Sequence, residues 1–179
     1  MKNTFAVGAF ASVLVFSLMI SILKHDSNKE VVITVPYAAL NSKAKEQVEC
    51  IAQNVYFEAG QESEEGQLAV AMVTMKRTKS SAFPSTPCGV VRQKTNNICQ
   101  FSWWCDKSLQ QKAIKYNYSP VEKQRLNEIR KVAMQAYLNY GEIEDPSKGA
   151  MFYHAIYVDP KWKFKRIAKI GNHIFYRRS

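Results

Sequence analysis

A chain of 179 residues, 46% hydrophobic and 12% aromatic, supplies one compact domain of ordinary size plus a short extra segment, and too little for two full domains. Lys and Arg number 25 against 15 Asp and Glu, a formal charge of +10. That balance points to a polyanionic neighbour such as nucleic acid, acidic lipid or an anionic cell envelope, and by itself chooses none of them.

Phe5 to Leu23 (FAVGAFASVLVFSLMISIL) carries no charge and is bracketed by Lys2 and Lys24. At about 1.5 Å per residue such a run crosses most of a bilayer core of roughly 30 Å. It ends in Ser21-Ile22-Leu23-Lys24 without a good small-x-small cleavage site, so residues 1–24 read as an uncleaved transmembrane anchor, with a cleaved signal peptide as the alternative. Either way the body is expected outside the cytoplasm, in the periplasm or beyond, and secreted if the segment is removed. Export also argues against nucleic acid as the partner. Residues 25–41 read as a linker, and the folded body is expected over 42–179.

Val48, Ile51, Ala52, Val55 and Ala59 recur at spacings of three and four, which predicts an amphipathic helix that Gly60 stops. Glu58 lies three residues after Val55 and seven after Ile51, at the margin of the buried stripe. A second helix is expected from Ser63 through Leu68, Met72 and Met75, with Glu62, Glu64 and Glu65 as solvated charges near its positive end. Ala82 to Trp104 is rich in Pro, Cys, Asn and aromatic residues without a period, and reads as an irregular, crosslinked region.

Cys50, Cys88, Cys99 and Cys105 form an even set, as in an exported domain held by two disulfides. Three pairings are open, with Cys99–Cys105 and Cys50–Cys88 weakly preferred. There is no C-x-x-C pair, P-loop, G-x-G-x-x-G, H-E-x-x-H or serine elbow, so no metal and no cofactor are expected.

Ser119-Pro120-Val121-Glu122 is a capping box with proline at the first helical position, opening a third helix with Leu126, Ile129, Ala133, Ala136, Tyr137 and Tyr140 on its apolar face and Gly141 as its stop. Ala150 to Ala155 then reads as a strand, and Arg166 to Arg178 as a hairpin turning at Gly171-Asn172. Helices around a cleft with a small antiparallel sheet give an α+β body.

A glutamate beside a helix's apolar face, flanked by Tyr56 and Phe57, has the environment that lifts a carboxyl pKa, as an acid that protonates a departing glycosidic oxygen requires. The usual hydrolytic scheme needs a second carboxylate roughly 5 to 10 Å away. Glu62, Glu64, Glu65 and Asp106 are candidates that context does not separate, which leaves open a scheme in which one glutamate acts first as acid and then as base while the sugar's own 6-hydroxyl attacks. Gln100-Phe101-Ser102-Trp103-Trp104 offers aromatic platforms and polar donors of the kind that hold sugars, and Tyr153 and His154 are further candidates to line the cleft.

The segments ECIAQNVYFEAGQESEEGQLAVAMV, FPSTPCGVV, CQFSWWCD, GAMFYHAIYVDPKW and RIAKIGNHIFYR together resemble the cell-wall hydrolase family that includes the spore cortex-lytic enzymes, in family order over Cys50 to Arg178. The resemblance implies a lysozyme-like, mainly helical catalytic domain with a small antiparallel sheet that cleaves peptidoglycan glycan strands as a lytic transglycosylase or muramidase. It places the catalytic glutamate of the Y-F-E-A motif on Glu58, and substrate-binding or supporting positions on Gln67, Gln100, Ser102, Trp103, Tyr153 and His154. The chain departs from the common family pattern at Gly60-Gln61, where many relatives carry arginine-glycine, and at Trp104, where a smaller polar residue is frequent. The competing readings are a non-catalytic peptidoglycan-binding protein and an amidase of the stem peptide. The latter lacks a zinc set, since His154 and His173 alone cannot supply one.

Overall fold

Asn41 opens the first long helix, its side chain accepting a hydrogen bond from the Ala44 amide (2.9 Å). This helix, α1 (Ser42–Ala59), buries Val48, Ile51, Ala52 and Val55 on the predicted stripe. The computed structural model describes residues 34–109, 111 and 119–178, all within the second of two compact units, residues 32–179. The apolar segment Phe5 to Leu23 lies outside the described residues. Among the described residues no helix is long and apolar enough to cross a membrane.

Ser63 caps α2 (Glu64–Thr78) by accepting from the Gly66 amide (3.3 Å), and Glu64 and Glu65 occupy its first turn as expected. The crosslinked region is more ordered than its composition suggests. It holds α3 (Pro87–Val91), capped by Thr86, a two-residue ladder of β1 (Lys94–Thr95) with β2 (Ile98–Cys99), and α4 (Ser102–Cys105). Asn96 and Asn97, both at positive φ, make the turn of that ladder. Disulfides join Cys50 to Cys88 and Cys99 to Cys105. The first ties α3 to the middle of α1, and the second closes the β2–α4 segment.

The N-cap half of the capping box forms as read. Ser119 accepts from the Glu122 amide (3.1 Å) and Pro120 begins α5 (Pro120–Leu138). The Glu122 carboxylate does not reach back to the cap, however. It pairs with Arg125 (3.1 Å) and accepts from the Tyr56 hydroxyl (3.2 Å), joining α5 to the last turns of α1.

Strands β3 (Phe152–Ala155), β4 (Lys165–Ile170) and β5 (His173–Arg177) form an antiparallel sheet in the order β3-β5-β4. Tyr153 pairs with Phe175 and His154 with Ile174, while a register shift between Arg166 and Ala168 interrupts β4. One core joins α1, α2 and α5 to the sheet through Ile51, Val70, Met72, Ile129 and Phe175. A second gathers Cys50, Cys88, Val90, Val91, Phe101 and Trp103. The fold is therefore mixed, mainly helical with small antiparallel sheets.

Candidate active site

Glu58 sits in the last turn of α1, where one helical turn earlier Asn54 faces the same way. Asn54 is fully buried and its amide nitrogen donates to the Thr74 hydroxyl of α2 (3.2 Å). Three residues beyond Thr74 comes Arg77, only 3% exposed, whose Nε donates to the Met151 carbonyl (2.8 Å) just before β3. Tyr153 completes the group from the sheet. Helix periodicity on α1 and α2 thus aligns Asn54 and Glu58 with Thr74 and Arg77, and the strand adds its phenol from the side.

Burial is the largest influence on Glu58 and pushes its carboxyl above the usual carboxylate range, while the Tyr153 hydroxyl and the Arg77 guanidinium act in the opposite sense. Burial also drives the Tyr153 hydroxyl well above the ordinary phenol range, so it stays protonated and can donate to the Glu58 carboxylate. Its oxygen is enclosed and has no partner in full hydrogen-bond geometry, although Glu58 and Asn54 are close enough to influence it. Asn54 Oδ1 and Arg77 Nη1 are likewise buried without a hydrogen-bond partner. Tyr153 and Arg77 thus place polar groups close enough to act on the one protonatable carboxyl, Glu58.

Arg77 is held without a carboxylate ion pair among the described residues. Its guanidinium lies over the rings of Phe83 (5.1 Å), Phe101 (5.4 Å) and Phe152 (5.7 Å), which supply the attraction a buried cation needs. Burial pulls its pKa down, whereas Tyr153 and Glu58 push it up.

Of the residues expected to line the cleft, the structure brings Tyr153 to Glu58. Trp103 is 3% exposed and stacks on Phe57 (4.5 Å, 14°), so it stiffens the motif helix from behind and presents no open face for a sugar ring. His154, next to Tyr153 on the strand, takes the opposite face of the sheet. Its Nδ1 donates to the Ala155 carbonyl (2.8 Å) and its Nε2 accepts from the Tyr176 hydroxyl (2.9 Å), which occupies both nitrogens. Gln67 donates to the Glu62 carbonyl (3.2 Å) and shapes the turn after α1, while Gln100 and Ser102 are exposed on the crosslinked segment.

The other carboxylates have different employment. Glu62 accepts from Asn172, Asp106 accepts from the amides of Ser108 and Leu109, and Glu64 and Glu65 are exposed at the helix start. Glu62 is thus not a solvated helix charge, because its side chain is 11% exposed and bound to the hairpin turn. Asn54, Thr74 and Arg77 were not singled out in the sequence. A polar residue on an apolar stripe was the available signal, since Thr74 and Arg77 follow Val70 by four and seven. A groove of about 1220 Å³ along α5, lined by Tyr37, Asn127, Arg130 and Met134, contains none of these residues.

Two solved structures share the fold. The catalytic domain of the germination-specific lytic transglycosylase SleB from Bacillus anthracis superposes with a TM-score of 0.54 at 24% identity, covering 80% of this chain and 100% of that one. The catalytic domain of the Bacillus cereus SleB protein gives a TM-score of 0.51 at 24% identity over 80% of this chain and 95% of that one. No curated protein matches the chain. The model of the cell wall hydrolase family matches residues 61–176, beginning three positions after Glu58 and running through α2, the crosslinked region, α5 and the β3-β5-β4 sheet as far as Tyr176. That match spans well over half of the sequence, and the chain belongs to the cell wall hydrolase family.

Proposed function

We propose that the chain cleaves the glycan strands of bacterial peptidoglycan at the MurNAc-GlcNAc bond, with Glu58 as general acid and then general base. The observation that carries this reading is the carboxyl of Glu58 itself, raised by burial while the Tyr153 hydroxyl and the buried Arg77 guanidinium act in the opposite sense. In the first step the protonated carboxyl gives its proton to the glycosidic oxygen as the bond to the anomeric carbon breaks. The carboxylate left behind is stabilised by Tyr153 and Arg77, whose influences both favour the ionised form. In the second step that carboxylate takes a proton from the attacking hydroxyl, and the acid is restored.

The attacking hydroxyl is the sugar's own 6-hydroxyl in a lytic transglycosylase and water in a muramidase. The route proposed is the first, the one-carboxylate, anhydro-forming one, in which Glu58 alone serves as acid and base. The Bacillus anthracis SleB catalytic domain, that of a lytic transglycosylase, supports the same route by analogy of fold. Such an enzyme works outside the cytoplasm, in wall remodelling or in lysis of a host by a phage.

The test is digestion of purified peptidoglycan followed by mass spectrometry of the soluble products. Wild-type protein is expected to release muropeptides with anhydro ends, one water lighter than hydrolysed ends, and Glu58→Gln to release none while keeping the wild-type circular dichroism spectrum. Equal release by Glu58→Gln would sink the assignment of the acid. Reducing ends in place of anhydro ends would make the enzyme a muramidase.

A further inference from the structure

Beyond β3 the chain leaves the sheet with three consecutive apolar side chains facing outward: Ile156 is 44% exposed, Tyr157 87% and Val158 43%. Backbone hydrogen bonds fix this projection, from the Ile156 amide to the Asn172 carbonyl (2.8 Å) and from the Val158 amide to the Ala155 carbonyl (2.9 Å). Trp162, 39% exposed, lies beside it, with its ring against His154 (5.5 Å), Tyr176 (5.8 Å) and Phe164 (5.5 Å). His154 and Tyr176 belong to the sheet face opposite Tyr153 and Phe175, and Trp162 packs on that face.

The same stretch of chain is rich in positive charge. Residues 156–178 hold seven of the 25 basic residues, Lys161, Lys163, Lys165, Arg166, Lys169, Arg177 and Arg178, and one acid, Asp159. All seven are exposed, and among the described residues only Lys161 forms an ion pair, with Asp159.

We propose that this loop and its basic flanks are a docking surface for an anionic lipid bilayer. Ile156, Tyr157 and Val158 enter the boundary between headgroups and acyl chains, Trp162 sits at headgroup depth, and the cations meet the lipid charges. A soluble polyanion would satisfy the cations and leave the branched aliphatic side chains of Ile156 and Val158 in water. A bilayer takes up both, as amphipathic residues at membrane interfaces do.

The test uses the full chain and vesicles of phosphatidylcholine with or without phosphatidylglycerol. Tyr157→Cys labelled with an environment-sensitive fluorophore is expected to shift its emission to the blue with phosphatidylglycerol vesicles and to revert at high salt. This local readout is separate from any contribution of residues 5–23. Ile156→Ser with Tyr157→Ser, and separately Lys161→Glu with Lys163→Glu and Lys165→Glu, are expected to lower partitioning at least about tenfold with an unchanged melting temperature. An unshifted emission, or partitioning unchanged in both variants, overturns the proposal. A basic-residue variant that loses heparin binding while keeping vesicle binding does so as well, by assigning the patch to polyanions. None of these outcomes depends on whether Glu58 cleaves glycan.

Discussion

Glu62 and Asn172 clasp each other across 110 residues of sequence, the backbone amide (3.2 Å) and side-chain amide (3.0 Å) of Asn172 both donating to the Glu62 carboxylate. The turn after α1 is thereby fastened to the tip of the β4–β5 hairpin, and His173 Nδ1 stands 4.0 Å from the same carboxylate. Replacing Glu62 by Ala removes both bonds and leaves the exposed Asn172 donors to water. A loss of about 1 kcal/mol is expected in chemical denaturation. Gly171→Ala should be at least as damaging, because a Cβ there would stand 1.9 Å from Glu62 Oε2 and the backbone is at φ +51. Wild-type stability in both variants would show that the clasp contributes nothing.

Glu58→Gln is expected to stabilise the protein at neutral pH. The folded state raises the pKa of Glu58 above its ordinary 4.5, so it holds the proton more tightly than the unfolded chain does. The stability linked to this group is complete below pH 4.5 and is lost as pH rises through the folded-state value. A neutral amide escapes that loss. Melting temperatures of the two proteins should therefore converge in acid and separate above it, with the variant higher. A variant less stable than wild type at every pH contradicts the sign.

The alkaline limb of the pH-rate profile should respond to Tyr153 and Arg77. Both lower the pKa of Glu58, and activity requires the protonated acid. Tyr153→Phe and Arg77→Met are each expected to move that limb to higher pH while lowering the maximal rate, since the carboxylate formed in the first step loses a supporting group. Arg77→Lys, which keeps the charge, should leave the limb nearer its wild-type position. A shift to lower pH in the first two variants would exclude this electrostatic role.

The two disulfides should differ in worth. Cys50 and Cys88 are 38 residues apart and Cys99 and Cys105 only 6, and the entropy removed from the unfolded chain grows with loop length. Double Ala replacement of the first pair is expected to cost about 4 kcal/mol and of the second about 2 kcal/mol. Denaturation of the two variants under identical conditions gives the comparison. The reverse order would mean that the short loop governs more native packing than its length indicates.

Local rules made the helices readable. The stripes of α1 and α5, the Ser63 and Ser119 caps and the Gly171-Asn172 turn follow from periodicity and backbone preferences that act within a few residues. The surroundings of Glu58 were less legible because they depend on packing between distant segments. No local signal sends Arg77 into a ring cluster or turns Tyr153 inward and His154 outward once the strand's partners are unknown. The same holds for Trp103, where an aromatic pair next to cysteine suits a sugar platform and an interior prop equally well, and only the stacking on Phe57 separates them. Glu62 was misjudged because its partner comes from the hairpin at the other end of the domain.

The three phenyl rings over Arg77 give the guanidinium a counterweight that no proton can remove. A carboxylate partner would titrate and switch the local potential on and off. Benzene faces and a peptide oxygen do not, so the positive background beside Glu58 holds steady whether the glutamate has just surrendered its hydrogen or just regained it.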